Sequence, residues 1–118
     1  MVSLETAGST QLLRDNSNRL YTQVGTATPV AIQYLNAPVT TTQFAGFTPL
    51  AAETLGGVNQ VLWRNSTNNF LATWDLNSSW GYSSYSQRTS NNGLFTAQAF
   101  ALETAFGVDA NGNGAIGS

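Results

Sequence analysis

Asp109, Asn111 and Asn113 alternate along the chain, Gly114 follows, and the carbonyl of Ala115 comes next, the opening pattern of an EF-hand type calcium loop. A hard cation takes oxygen ligands, and glycine permits the sharp turn that gathers them. The bidentate Glu that closes such a loop would fall past Ser118, and Glu103 is the only carboxylate near in sequence. The spacing therefore predicts either a weak calcium site at Asp109, Asn111, Asn113 and Ala115 or a Gly/Asn connector. A second chemistry is stacking on sugar rings, for which Trp63, Trp74, Trp80, Tyr82 and Tyr85 are the candidates. Trp63 and Trp74 alternate with Val61, Leu71 and Leu76 and read as core. Trp80 and Tyr82 follow the turn Asn77-Ser78-Ser79 and share one strand face by alternation, so they are the expected exposed pair.

The rest of the composition removes more chemistry than it offers. Cys and His are both absent, which excludes thiol nucleophiles, disulfides, zinc sites and bases built on imidazole. The six acids are scattered without the local spacing of a glycosidase pair. The expectation is a protein that is not an enzyme. Four Arg, no Lys and a net charge of −2 leave no basic patch, so nucleic acid and anionic membrane surfaces are poor partners. Asn, Gln, Ser and Thr far outnumber charged residues and make a neutral polar surface. There is no apolar run of about 20 residues, and Met1 to Asp15 has neither a basic start nor a hydrophobic stretch. Membrane insertion and a cleaved leader within this chain are therefore not expected. With 42% hydrophobic residues, the 118-residue chain can still bury one core, and a single domain over 1–118 is expected.

The elements that must position these residues are written twice. Leu12-Leu13-Arg14-Asp15-Asn16-Ser17-Asn18-Arg19-Leu20-Tyr21 lies over Leu62-Trp63-Arg64-Asn65-Ser66-Thr67-Asn68-Asn69-Phe70-Leu71 without a gap. Leu4-Glu5-Thr6 returns as Ala52-Glu53-Thr54 and Leu102-Glu103-Thr104 at nearly the same offset. This predicts two halves, 4–52 and 53–106, followed by a loop or linker over 107–118. Each half reads as a hairpin with an Asn/Asp turn and a third strand, Val30 to Leu35 in the first and Trp80 to Ser86 in the second. Phe95, Ala99, Leu102 and Phe106 fall on one helical face, predicting a helix from Thr96 to Phe106 stopped by Gly107. Gly46 and Pro49 limit the matching stretch of the first half to a short helix, which Thr48 would cap. Arg14 and Arg64 at the hairpin ends are expected to pair with acids or to lie solvated. The expected fold is α+β, with six antiparallel strands in two three-stranded halves and a C-terminal helix. All-β propeller-like blades are the alternative.

The order of short motifs carries a resemblance. Leu4-Glu5-Thr6-Ala7-Gly8-Ser9-Thr10, Ala37-Pro38-Val39, Gln43-Phe44-Ala45-Gly46-Phe47-Thr48-Pro49-Leu50, Val61-Leu62-Trp63, Ala72-Thr73-Trp74, Leu102-Glu103-Thr104-Ala105-Phe106 and Asp109-Ala110-Asn111-Gly112-Asn113-Gly114 follow one another over nearly the whole chain. Together they resemble the tryptophan-rich C-terminal repeat domain of cyanobacterial and other bacterial secreted proteins. Phe47 stands where that family usually has Trp, and Asn113 where it usually has Asp. The resemblance implies a module found in tandem or at the C-termini of large exported proteins, with no enzymatic activity to carry over. The expected function is a structural or adhesive repeat module, extracellular or at the cell surface, whose partners are copies of itself or tandem neighbours. A carbohydrate-binding module that takes polysaccharide on Trp80 and Tyr82 is the alternative.

Overall fold

A computed structural model describes all residues, Met1 to Ser118. Val2–Glu5 (β1), Thr10–Arg14 (β2), Leu20–Val24 (β3) and Val30–Ala31 (β4) form one antiparallel sheet in chain order. Gln33–Tyr34 (β5) and Ala37–Pro38 (β6) make a small hairpin. Phe47–Leu55 (β7), Val58–Asn65 (β8), Phe70–Leu76 (β9) and Tyr82–Gln87 (β10) form a second antiparallel sheet, also in chain order. Ala97–Phe106 (α1) closes the architecture. The fold is mostly antiparallel strand with one short helix. The expected three-stranded halves are replaced by two open four-stranded sheets, and four strands in chain order is also the strand order of a propeller blade.

Both central hairpins are set by the same side-chain device. Asp15 Oδ1 accepts the N–H of Ser17 at 2.8 Å and of Arg19 at 2.9 Å. Asn65, its counterpart in the repeat, accepts from Thr67 at 3.0 Å and from Asn68 at 2.8 Å through its own Oδ1. These short polar side chains replace backbone partners at the start of each turn. Asn18 and Asn69 then take the left-handed conformation, with φ of 62° and 54°, which Asn tolerates better than most residues. β2 pairs with β3 from Thr10↔Val24 to Arg14↔Leu20, and β8 with β9 from Asn59↔Leu76 to Asn65↔Phe70.

Where a short helix is expected after Thr48, the chain runs as the nine-residue strand β7. Pro49, which has no N–H to give a ladder, is tolerated because β7 is the edge of its sheet, and the register shifts between Pro49 and Ala51. The third strand of the first half breaks after Ala31: Ile32 is buried between β4 and β5, donates its N–H to the Leu20 carbonyl and accepts the Val39 N–H. The helix follows expectation at both ends. Thr96 is its N-cap, accepting the Ala99 N–H, and Gly107 at φ 71° returns its N–H to the Glu103 carbonyl at 2.7 Å. Its buried face is Ala99, Leu102, Glu103 and Phe106, whereas Phe95 precedes the helix and is 63% exposed.

Alternation along the second sheet divides the core in two. Ala52, Val61, Trp63, Trp74 and Leu76 face Leu12 and Leu20 of the first sheet, together with Ile32, Val39 and Trp80. Ala51, Leu62 and Leu71 point the other way, into a cluster with Leu94, Ala99, Leu102, Phe106 and Ala110. The sheet is thus covered on both faces, which is why β9 is buried at nearly every position.

Candidate functional site

One cleft is lined entirely by aromatic residues and measures about 400 Å³. It is lined by Tyr34 of β5, Phe44 of the following loop, Phe47 at the start of β7, Trp63 of β8, Trp74 of β9, and Tyr82 and Tyr85 of β10. Register explains the convergence on the second sheet: Tyr85 lies directly opposite Trp74, which lies opposite Val61, two residues from Trp63. The rings lock one another. Tyr34 stacks on Trp74 with centroids 5.7 Å apart, and Trp63 packs on Trp74 at 5.0 Å. Phe44 meets Trp74 edge-on at 5.4 Å, as Tyr82 does at 4.9 Å. Trp63 and Trp74 are the buried floor, while Tyr85 is 45% exposed at the rim. No carboxylate or Arg side chain lines this cleft.

Trp80 and Tyr82 do not form the expected shared platform. Trp80 adopts φ 64° in the turn before β10 and is only 4% exposed, its ring turned into the core. Alternation fails there because Trp80 is not yet in a strand: its N–H returns to the Asn77 carbonyl at 3.0 Å, and Asn77 Oδ1 takes the N–H of Ser79 and of Gly81. Tyr82, the first residue of β10, does reach the cleft. Of the stacking candidates, Trp63, Trp74, Tyr82 and Tyr85 come together there. Tyr34 of β5, Phe44 of the loop before β7 and Phe47 at the start of β7 join them, and their approach to the cleft leaves no periodic trace in the sequence.

The residues of the expected cation loop are held chiefly by the loop itself. Asp109 accepts the N–H groups of Gly112 and Asn113 through Oδ1 and of Gly114 through Oδ2. Those bonds, foremost that from Gly114, hold its carboxyl below the usual carboxylate range. Asn111 Oδ1 accepts from Asn113, and Asn113 Oδ1 accepts from Ala115. The Asn111 amide is buried and donates to the carbonyls of Leu94 and Ser118. Glu103 contributes no free oxygen: it is 0% exposed, with Oε2 accepting from Ala110 and Asn111 and Oε1 from Gly117. The donor types suit a hard cation, but the loop brings one charge.

The Leu-Glu-Thr echo marks a structural device. Glu5 and Glu53 are each 7% exposed and clasp the two sheets reciprocally. Glu5 Oε1 accepts the Ala52 N–H of β7 at 3.2 Å, and Glu53 Oε1 accepts the Thr10 N–H of β2 at 3.0 Å. Glu103, the third echo, does the same for the C-terminal loop. Glu5 Oε2 is buried without a partner. Burial first, and then the neighbouring Glu53 charge, push the Glu5 carboxyl up to about 7, against the Ala52 bond that lowers it. Gly8 is fixed by the same clasp, since a β-carbon there would collide with the Glu53 carboxylate. Neither Arg14 nor Arg64 finds an acid. Arg14 bonds Asn18 and Arg64 the Ala110 carbonyl, while Asp15 pairs with Arg19 at 2.7 Å.

Two open antiparallel sheets, a tryptophan-floored cleft and a loop clamped to a short helix describe a small, mainly β domain built around its indoles. No curated protein and no solved structure matches the chain. A family model does match, over residues 10–117, and by it the chain belongs to the bacterial family described as the tryptophan-rich Synechocystis species C-terminal domain.

Proposed function

We propose that the domain is a non-enzymatic structural or adhesive repeat module of an exported or cell-surface protein, working through contacts with copies of itself or with tandem neighbours. The observation that carries this reading is the aromatic cleft, uncharged, rigidly floored by Trp63 and Trp74, and open at Tyr85. Clustered tyrosine and tryptophan with no charge to desolvate is the make-up of a contact centre. The exported setting is what the family resemblance implies, and the neutral polar surface suits it. The sequence echo of Glu-Thr at 5–6, 53–54 and 103–104 supports a tandem arrangement. A polysaccharide would have to use the same cleft in place of Trp80. The ring faces there are already turned against one another, which favours a protein contact. Light scattering over a wide concentration range tests the reading. The mass is expected to rise above the 12.5 kDa of one chain, and a strict monomer into the millimolar range would end it.

Calcium is proposed as a weak auxiliary of the same module. Asp109, Asn111, Asn113 and the Ala115 carbonyl offer four oxygens of the six to eight that the ion takes, so the affinity belongs at roughly 10⁻⁴ to 10⁻³ M. For a dissociation constant of about 1 mM, 10 mM calcium would stabilise the fold by roughly 1.4 kcal/mol. The melting temperature should therefore rise in calcium, return with a chelator, and fail to respond in Asp109→Asn. An unresponsive wild type would leave 109–114 as a connecting loop.

A further inference from the structure

We propose that β10 is the edge through which two copies join: β10 lies antiparallel against β10 of a second copy, with Tyr85 opposite Tyr85, making one continuous sheet. This inference rests on the self-contact reading above and gives it a surface. The other long edge of the second sheet is closed. β7 packs against the first sheet, Pro49 withholds a donor, and the Ala52 N–H is already taken by the buried Glu5. In the first sheet, the β4 edge is two residues long and follows Pro29, and β1 is interrupted by a register shift between Ser3 and Glu5. Short length, proline and bulges are the usual guards of a free edge.

β10 has fewer guards. It is six residues long and reads Tyr-Ser-Ser-Tyr-Ser-Gln, without charge or proline, and Ser83 to Gln87 are exposed. Its one irregularity lies between Tyr82 and Ser84, and from Ser84 to Gln87 the pairing with β9 is regular. On its free side every second N–H and C=O lacks a ladder partner. The strand is also complementary to itself. With Tyr85 at the two-fold axis, Ser84 falls opposite Ser86 and Ser83 opposite Gln87, so no like charges meet. Arg88, just past the strand, is drawn aside by its bond to Thr73 Oγ1 at 3.1 Å. Because Tyr85 also rims the aromatic cleft, this register brings the clefts of both copies to one seam and covers their most exposed ring.

Charge placed on the edge tests the proposal without touching the core. Ser84→Lys/Ser86→Lys and Ser84→Glu/Ser86→Glu alter exposed side chains only, and circular dichroism melts should show both variants folded. By sedimentation equilibrium, each alone is expected to self-associate at least tenfold more weakly than wild type. An equimolar mixture is expected to regain association, since each Lys then faces a Glu across the seam. Undiminished association of both charged variants would overturn the β10 edge while leaving the self-contact reading standing. Loss without recovery in the mixture would overturn the antiparallel register. A wild type that is itself monomeric would remove both.

Discussion

Glu103→Ala is expected to cost the domain about 3 kcal/mol, which by size scaling is roughly 10 °C in melting temperature. Glu103 is a fully buried carboxylate on the helix whose two oxygens accept three backbone N–H groups, those of Ala110, Asn111 and Gly117. Removing it leaves those donors without an acceptor and frees the loop over 107–118, which carries Ala110 out of the second core cluster. The loss is larger than for a surface acid because three buried donors lose their acceptor together and cannot all turn to water. Glu103→Gln, which keeps one carbonyl oxygen, should fall between wild type and Ala. Thr104→Ala, an exposed neighbour on the same helix, should change stability by less than about 0.5 kcal/mol. Thermal melts of the three variants decide the matter, and equal effects at Glu103 and Thr104 would mean that the loop is not held from the helix.

The second large effect is of pH. Glu5 ionises in water near 4.5 and in the folded domain near 7, so the folded state holds its proton more tightly than the unfolded chain does. A raised carboxyl gives stability that is fully present below the unfolded value and is lost as pH rises through the folded one. The domain should therefore be more stable at pH 5 than at pH 8, by about 2–3 kcal/mol or roughly 8–12 °C. Below pH 4 the trend reverses, since Asp109 and Asp15 are held below the usual carboxylate range. For Asp109 the foremost cause is the Gly114 N–H; for Asp15 partial desolvation is outweighed by bonds from Arg19, Ser17 and Tyr21. Glu5→Gln keeps an acceptor for the Ala52 N–H and cannot ionise. It should flatten the profile between pH 5 and 8 and melt above wild type at pH 8. A wild-type profile that is flat or rising over that range would contradict the assignment.

Local rules made part of this molecule legible from sequence. The helix after Thr96 was readable because its cap, its apolar spacing and its Gly107 stop all lie within a dozen residues. The two central hairpins were readable because Asp15 and Asn65 act on N–H groups within four residues of themselves. The burial of Trp63 and Trp74 followed from alternation inside strands that exist. Alternation misled at Trp80 because that residue lies in the Asn77 turn, in the left-handed conformation, and not in the strand that begins at Tyr82. The short helix expected after Thr48 gave way to β7 because an edge strand can spare the donor that Pro49 lacks, and edge status is a property of the sheet rather than of the segment.

The repeat of Leu-Glu-Thr was visible in the sequence, but its meaning was not. Nothing local says that Glu5 reaches Ala52 or that Glu53 reaches back to Thr10, because those bonds span more than forty residues. The aromatic cleft likewise draws Tyr34 of β5, Phe44 of a loop and Phe47 of β7 onto a floor laid by β8 and β9. The sequence alone determined the strand-forming hairpins, the helix, the neutral surface and the absence of thiol and imidazole side chains. Only the tertiary structure decided which carboxylates are buried, which rings face one cavity and which strand is left at an edge, since each depends on how distant segments exclude water from one another.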